Sequence, residues 1–432
     1  MKLNTRRTVL IGFAFMSILC FWQFYDQVIP YVLENVFGMG MTAANAIMAV
    51  DNVLAIFMLP LFGAISDRTR TPLGKRTPYI LFGTIAAVII MIVMAFMQEQ
   101  RNMWGFIIAL FLVLLTMSTY RTPAVAYMPD VTEKPLRSKA NAIINLVGYV
   151  GGIFAMGVMM FLLKSEKAAD GSSVYRDDQS FMPVYIIIAA FMLVSVLIMV
   201  FTVNENKVLR ETNIHDEEEV KSEGGRLPKP VKKSLVFILL SVFLWFMAYN
   251  AVTTAFSRYC VNVWGADLSV SSSYLLSATV AAIASFVPLG IISSKLGRKK
   301  TILLGVALMT VCYAAAMFIK TQTPVMYIFF ALVGIGWAAI NVNSFPMVVE
   351  MSSGSDVGKY TGIYYAFSMA AQITTPLLSA FFIDILGLGY KALFPYAVIF
   401  SALAFVTMLF VKHGDSRPEQ KKDLLESFGE AE

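Results

Sequence analysis

The stretch PLFGAISDR, residues 60–68, ends a long apolar segment and opens a basic loop. A related stretch, PLGIISSKLGRKK at residues 288–300, does the same about half the chain length later. In both, a proline and a glycine precede the last apolar residues, and lysines or arginines follow. This repeated stretch indicates that the chain has two related halves. The apolar segments around it indicate what kind of structure each half forms.

The apolar segments are long enough to cross a bilayer. The chain is 58% hydrophobic and only 14% charged, with a mean hydropathy of +0.69, whereas ordinary globular domains carry about 25% charged residues. Runs of about 20 apolar residues read as membrane helices, and the first run is too long for a cleavable signal peptide. The twelve runs are residues 9–33, 42–66, 79–98, 104–127, 140–163, 181–203, 234–259, 268–293, 301–318, 325–349, 360–384 and 391–412.

The lysines and arginines predict the orientation of these helices. On this topology 26 of the 34 basic residues fall in the segments on one side, which the positive-inside rule makes cytoplasmic together with both termini. The net charge of +6 reflects this bias, so it is no sign of nucleic-acid binding. The three cysteines and two histidines show no ligand spacing, so we expect neither a metal site nor a cofactor.

A charged stretch divides the chain into six helices and six helices. Residues 1–203 form the predicted first bundle, 204–233 a mobile cytoplasmic linker, 234–412 the second bundle and 413–432 a cytoplasmic tail. Together with the repeated loop, this predicts an all-α membrane protein with the major facilitator fold, in which a substrate binds between the halves near the bilayer midplane. We expect a monomer in the cell membrane.

Ionisable residues inside membrane helices are costly and point to function. Asp26, Asp51 and Arg121 lie well inside predicted helices. Arg258, Glu350 and Asp384 lie near helix ends, where snorkelling explains them. We expect Arg121 to pair with Asp51 or Asp26, and one acid, Asp51 first and Asp26 second, to carry a proton; a permanent pair that only locks helices is the alternative.

Polar and aromatic residues beside these charges suit an uncharged, hydroxyl-rich ligand. Trp22 and Asp26 are four residues apart, as are Gln23 and Gln27, and such spacing places side chains on one helix face. In the second half, AYNAVTT at residues 248–254 is a predicted break in helix seven. The candidate substrate-binding residues are Trp22, Gln23, Asp26, Gln27, Arg121, Tyr249, Asn250, Trp337, Asn341 and Gln372.

The repeated loop is a candidate gate. Gly63 permits close helix approach, and Asp67, beside Arg68, can meet a basic residue or the start of a neighbouring helix. Ser294 replaces Asp67 in the second half, so that copy is predicted to be electrostatically weaker. A basic loop without a gating role is the alternative.

Three segments resemble the glycoside–pentoside–hexuronide cation symporters, in particular the bacterial branch allied to the sucrose transporters. They are DNVLAIFMLPLFGAISDRTRTPLGKRTPYILFG at residues 51–83, RTPAVAYMPDV at 121–131 and RSKANAIINLVGYVGG at 137–152, and FWQFYDQVIPYVL at 21–33 resembles the first helix of that branch. The resemblance is dense over residues 10–155. It implies twelve helices and uptake of a sugar or glycoside coupled to H⁺ or Na⁺.

Departures from that family's pattern affect the coupling ion. The resemblance places the two cation-binding aspartates of melibiose-type members at Ala55 and Leu59, and their helix-four sugar carboxylate at Arg121. Predicted helix five, residues 140–163, lacks the arginine of sucrose-type members, and Asp130 is expected near the cytoplasmic surface. These departures disfavour a sodium site of the melibiose type.

The sequence therefore predicts a secondary transporter that imports a sugar, glycoside or short oligosaccharide by proton symport. No Walker-type phosphate loop and no converging nucleophile, base and acid are present, so neither ATP coupling nor an enzyme is expected. Two alternatives stay open: a transporter or exporter of another solute, which predicts a mainly apolar cavity, and a non-transporting membrane receptor or scaffold, which predicts no flux.

Overall fold

The computed structural model of the chain describes residues 3–163, 165–167, 173–175, 180–212, 227–266, 268–352, 356–385 and 387–415. These ranges contain fourteen α-helices, numbered in chain order. They are α1 (Thr5–Tyr31), α2 (Met41–Met48), α3 (Val50–Arg68), α4 (Thr77–Glu99), α5 (Met103–Asp130), α6 (Arg137–Leu162), α7 (Met182–Thr202), α8 (Glu205–Thr212), α9 (Lys229–Trp264), α10 (Leu268–Leu296), α11 (Arg298–Ala316), α12 (Val325–Glu350), α13 (Val357–Ala380) and α14 (Leu393–Leu409).

Twelve spans long and apolar enough to cross a membrane occur in the described residues, as predicted. Short π-helical turns at Val32–Val36 and Phe381–Ile385 follow α1 and α13. Two three-residue strands, β1 (Ser165–Lys167) and β2 (Ser173–Tyr175), pair antiparallel between α6 and α7. Over the described residues, the protein is therefore an all-α membrane protein apart from this short pair.

Two spans differ from their predicted course. The predicted second helix is divided at Ala49 into α2 and α3, which places Asp51 in the first turn of α3 rather than ten residues inside a helix. The predicted break at residues 248–254 is wrong, because α9 runs unbroken through it and ends where Gly265 adopts φ +62°. The hydroxyls of Thr253 and Thr254 donate to the carbonyls of Tyr249 and Asn250 in the preceding turn, so these polar side chains are accommodated within a continuous helix.

The two bundles meet through two equivalent pairs of helices. Helix α3 of the first bundle packs along α13 of the second, and α10 of the second packs along α6 of the first. Glycines allow the close approach: a Cβ at Gly63 would overlap the carbonyl oxygen of Gly358, and one at Gly290 would lie 2.9 Å from the Cβ of Ala142.

Both ends of the described chain lie at one face, here called the terminal face. Arg7 donates to the carbonyl of Val131, and Ser234 and His413 are hydrogen-bonded at 2.8 Å. The predicted mobile linker, residues 204–233, begins with helix α8, in which Glu205 is fully buried. Residues 213–226, and the tail from 416, lie outside the described residues.

Candidate functional site

A cavity of about 1070 Å³ lies between the two bundles. It reaches from Asp26 and Arg121 inside the membrane region to Ala46 and Tyr390 toward the face opposite the chain ends. Both bundles line it, through α1, α2, α3 and α5 on one side and α9 and α13 on the other. Toward the terminal face the bundles are in contact, so the cavity is closed on that side.

Arg121 holds the bundles together at the cavity by aromatic contacts. Its guanidinium carbon lies 5.2 Å from the ring centroid of Trp22 in the same bundle and 5.2 Å from that of Tyr365 in the other. Such cation–π contacts are worth about 0.5–2 kcal/mol each. Tyr365 was not among the candidate residues predicted from the sequence, and the hydroxyl of its neighbour Tyr364 bonds Ser344 at 2.8 Å instead of facing Arg121.

Asp26 and Asp51 both line the cavity, within electrostatic range of Arg121. Neither carboxylate comes within the 4.0 Å that defines an ion pair with this arginine. The expected pair is therefore not a contact pair in this conformation. Asp51 lies in the first turn of α3, where free amides favour a carboxylate.

The polar residues predicted on one face of the first helix divide between two stripes. Trp22 and Asp26 line the cavity, whereas Gln23 and Gln27, whose positions are described, are not part of its lining. Gln23 faces α6, with its Oε1 3.7 Å from the point where Gly152 would carry a Cβ. The helix turns by about 100° per residue, so the pair Trp22 and Asp26 lies on one stripe of the helix, and the pair Gln23 and Gln27 lies on the adjacent stripe.

The side chains that the second bundle contributes to the cavity are mainly aliphatic or polar, and the predicted binding residues Tyr249, Asn250, Trp337 and Asn341 are not among them. The rings of Tyr249 and Trp337 stack with centroids 3.8 Å apart, and Phe246 meets the same indole edge-on at 5.0 Å. Gln372 and Arg258 line the central cavity, which corrects the expectation that Arg258 only snorkels at a helix end. The side chain of Asp384 lies outside the described residues.

Asn341 and Asn250 differ in whether their side-chain amides have hydrogen-bond partners among the described residues. Asn341 donates to the carbonyl of Trp337 at 3.0 Å in its own helix, and its backbone carbonyl accepts from Asn141 of the first bundle at 3.0 Å. Asn341 thus joins the bundles. In Asn250, by contrast, the buried Nδ2 has no hydrogen-bond partner in the described part of the chain.

Asp67 forms the centre of a first clamp between the bundles on the terminal face. Its carboxylate accepts hydrogen bonds from the amides of Gly358 and Lys359 at the start of α13, both at 2.8 Å. It also pairs with Arg76, whose Nε donates to Asp130 at 2.8 Å. Burial lowers the pKa of Arg76, but the two carboxylates outweigh burial and leave it above its ordinary value. Gly63 lies in this contact, whereas Arg68 is exposed.

A second clamp lies at the equivalent place in the other bundle. Arg298 donates to Glu350 at 3.0 Å and to the hydroxyl of Ser138 at 3.0 Å, and Arg137 reaches Glu350 at 3.2 Å. The expectation that Glu350 is an interfacial acid is wrong, because both arginines are buried against it. Ser294 bonds the carbonyl of Ile291 in its own helix and takes no part.

Several clamp residues were missed by the sequence reasoning. Arg76, Arg137 and Arg298 were counted only as positive-inside charges, and Asp130, expected near the cytoplasmic surface of the membrane, was assigned no partner, although it is 2% exposed. A signal was available: each clamp joins an arginine at the start of a helix to an acid at the end of the next one, Arg76 with Asp130 and Arg298 with Glu350.

Comparisons with known proteins agree with this architecture. Residues 10–386 match the family described as MFS/sugar transport protein. The chain is 21% identical over 288 residues to an isoprimeverose transporter of Lactiplantibacillus pentosus, covering 64% of this chain and 57% of that protein. It is 32% identical over 120 residues to an alpha-ketoglutarate permease of Escherichia coli (strain K12), covering 27% of this chain and 26% of that protein. These matches span only about half and a quarter of the relatives' lengths.

Solved structures share the fold. The MFS transporter FucP in the outward conformation superposes with a TM-score of 0.75 at 14% identity, over 94% of this chain and 99% of that one. The proton:xylose symporter XylE superposes with a TM-score of 0.68 at 14% identity, over 96% of each chain. At this identity the likeness establishes the architecture of two bundles around a central cavity.

Proposed function

Because the chain belongs to the MFS/sugar transport protein family, we propose that it imports a sugar, glycoside or short oligosaccharide across the cell membrane by proton symport. The observation that carries the proposal is the central cavity of about 1070 Å³, closed at the terminal face and lined from both bundles. The chain is a multi-pass membrane protein and not an enzyme. If the terminal face is cytoplasmic, as the basic loops predict, the cavity faces outward.

The cavity offers the groups that bind hydroxyl-rich ligands. Its volume is at the upper end of the roughly 300–1,000 Å³ of small-molecule sites, which suits more than one sugar ring. Trp22 offers an aromatic face and a buried Nε1 without a partner, and Asn52 a buried Oδ1 without one, among the described residues. Asp26 and Gln372 supply further acceptors and donors. An exporter of amphipathic compounds would be expected to have a mainly apolar lining.

The positions of the carboxylates near the cavity support proton coupling rather than sodium coupling. Ala55 and Leu59, where a sodium-binding pair would stand, are apolar and pack against Met369 of α13. A hard cation needs several oxygen ligands, whereas a single carboxylate beside a distant cation can take up and release a proton. Asp51 is the first choice for that role and Asp26 the second, since both line the cavity and neither forms an ion pair with a described residue.

Alternating access requires that the clamps open when the cavity closes. The contacts of Asp67 with α13, and of Arg298 with α6, join the bundles only on the terminal face. Rocking one bundle against the other would break them and expose the same cavity to the other side. In this mechanism the gating residues hold the conformation and do not touch the sugar.

Reconstituted vesicles test the proposal. A sugar that raises the thermal midpoint of the purified protein is chosen from a panel, because a ligand that binds only the native state stabilises it. Uptake of that sugar should follow an imposed inward pH gradient and ignore an imposed Na⁺ gradient. Accumulation driven by Na⁺ at fixed pH would overturn proton coupling, and absence of flux with a stabilising sugar would favour a receptor.

The Asp51→Asn variant assigns the coupling group. Gradient-driven accumulation should vanish while exchange at equal sugar concentrations survives, because the sugar site remains and the titrating group is gone. Asp67→Asn serves as the matched control, since it removes a carboxylate from the gate rather than from the cavity. It should slow gradient-driven accumulation and exchange to the same extent. Full accumulation in Asp51→Asn would move the proton site elsewhere.

A further inference from the structure

The loop between α3 and α4, residues 69–76, is held by the segment that follows α7. Glu205, the first residue of α8, is fully buried, and its carboxylate accepts hydrogen bonds from the amides of Lys75, Arg76 and Thr77 at 2.9–3.1 Å. The hydroxyl of Thr77 adds a fourth donor at 2.8 Å. A buried carboxylate without a cation is thus stabilised by the free amides at the start of α4.

The surrounding loop is built to admit this side chain. Gly74 adopts φ +112°, and a Cβ there would overlap the Glu205 carboxylate. Asn206 donates from its Nδ2 to the carbonyls of Thr71 and Pro72 at 3.1 and 2.8 Å. The start of α8 therefore fixes both ends of the tight turn that precedes Arg76.

Arg76 connects this arrangement to the other bundle. Its backbone amide is bound by Glu205, while its guanidinium reaches Asp130 and Asp67. Asp67 in turn binds the amides at the start of α13. An unbroken series of hydrogen bonds thus runs from Glu205 to the contact between the bundles, and Glu205 itself touches only the first bundle.

The second bundle repeats the arrangement with its own last segment. Asp415, just after α14, accepts a hydrogen bond from the amide of Arg298 at 2.6 Å, and the carbonyl of Gly414 accepts from the same guanidinium at 3.3 Å. Arg298 is the arginine of the second clamp. In each bundle, an acid that follows the sixth span holds the backbone of the clamp arginine.

We propose that Glu205 and Asp415 are positioning residues of the two clamps: they fix the backbone at Arg76 and Arg298, and so favour the conformation closed at the terminal face. Glu205 at the start of the linker, and Gly414 and Asp415 after α14, are then parts of the gate. The inference rests on the alternating access of the proposed function, but not on the identity of the sugar or of the coupling ion.

Two reporter cysteines test this in a background with Cys20, Cys260 and Cys312 replaced by Ala. Ala142→Cys lies 1% exposed at the contact of α6 with α10, and Ala46→Cys lies at the mouth of the cavity. Purified protein is treated with a water-soluble maleimide. Glu205→Gln should raise the labelling rate of the Ala142→Cys reporter about fivefold or more, a usual size for a coupling between distant sites, and lower that of the Ala46→Cys reporter.

The matched control is Glu99→Gln, which neutralises an acid at the opposite end of the same helix α4 and should leave both rates unchanged. A general loosening would raise both rates, and that result, or equal labelling in Glu205→Gln and Glu99→Gln, would overturn the positioning role. If Glu205→Gln does not fold, Asp415→Asn carries the same comparison in the second clamp. Reciprocal labelling in a protein that moves no sugar would overturn the transport proposal and support the positioning role.

Discussion

On the terminal face, Arg76 contacts two carboxylates and Glu350 contacts two arginines. In each contact the nitrogen–oxygen distance is at most 3.2 Å. In the cavity, Arg121 lies between two aromatic rings instead, and Asp26 and Asp51 are farther than contact distance from it. The charged side chains of the terminal-face clamps are buried, whereas Asp26 is exposed to the cavity. The terminal face pairs its charges with protein groups, and the cavity leaves its charges for something else to pair.

This difference indicates two different roles for the charged residues. A buried charge in contact with its partner stabilises one arrangement strongly, because losing the partner strands the remaining charge. A charge without such a partner responds to whatever arrives, whether a proton or a hydroxyl of a ligand. In the proposed mechanism, the terminal face therefore selects a conformation and the cavity binds the ligand.

Replacing Arg76 should have the largest effect on stability. Arg76→Gln leaves the fully buried side chain of Asp130 with Lys75 at 3.0 Å and Asp67 with two amides of α13, and removing one partner of a buried ion pair costs about 3–5 kcal/mol. Thermal or denaturant unfolding of the purified protein measures the loss. The double variant Arg76→Gln with Asp130→Asn should recover part of it, whereas equal losses in the single and double variants would show that the pair is unimportant.

Replacing Arg121 should cost less, about 2 kcal/mol, because the loss is two cation–π contacts rather than a contact ion pair. Arg121→Lys keeps the charge and serves as control. Adding Asp51→Asn to Arg121→Gln should recover only a fraction of the stability, through the longer-range attraction. A loss as large as that of Arg76→Gln would mean that the cavity charges are paired after all, and the contrast between the regions would fail.

Replacing Asp26 should act on binding rather than on stability. Asp26→Asn should weaken sugar binding about tenfold, the loss expected for a charge-assisted hydrogen bond of about 1.4 kcal/mol. Gln27→Ala is the control, since Gln27 neighbours Asp26 in the chain but does not line the cavity. Calorimetric titration with the stabilising sugar measures both. Equal affinities in the two variants would remove Asp26 from the sugar site.

The fold followed from the sequence because membrane spans are decided by local composition. Twelve apolar runs and one repeated loop were sufficient to predict two six-helix bundles. The break at Ala49 and the continuity of α9 were not predicted, since both depend on tertiary packing that a hydropathy pattern does not contain.

The candidate site was harder to predict than the fold. A helical face could be predicted only by spacing, which could not tell that Trp22 and Asp26 turn to the cavity while Gln23 turns to α6. The partner of Arg121 required knowing which residue of α13 faces it, and that is a matter of helix rotation. Tyr364 and Tyr365 are adjacent in sequence yet lie in different environments for that reason.

The smallest expected effect comes from making the two clamps alike. Ser66 and Ser293 each bond the carbonyl of the glycine three residues earlier, at 2.9 and 3.1 Å, so Ser294 occupies the place that Asp67 has in the first clamp. Ser294→Asp should put a carboxylate near the start of α6 and stabilise the closed terminal face by about 0.3–1 kcal/mol, as a charge at a helix N-terminus does.

Reporter labelling can resolve so small a change. The Ala142→Cys reporter should react about two to five times more slowly in Ser294→Asp than in the parent, while Ser294→Asn, of the same size without the charge, should leave the rate unchanged. Sugar uptake should slow in parallel, because the clamps must open in every cycle. Faster labelling in Ser294→Asp would mean that Glu350 repels the new carboxylate more than the start of α6 attracts it. In that case a neutral residue at position 294 would be needed, because Glu350 already supplies the negative charge of the second clamp.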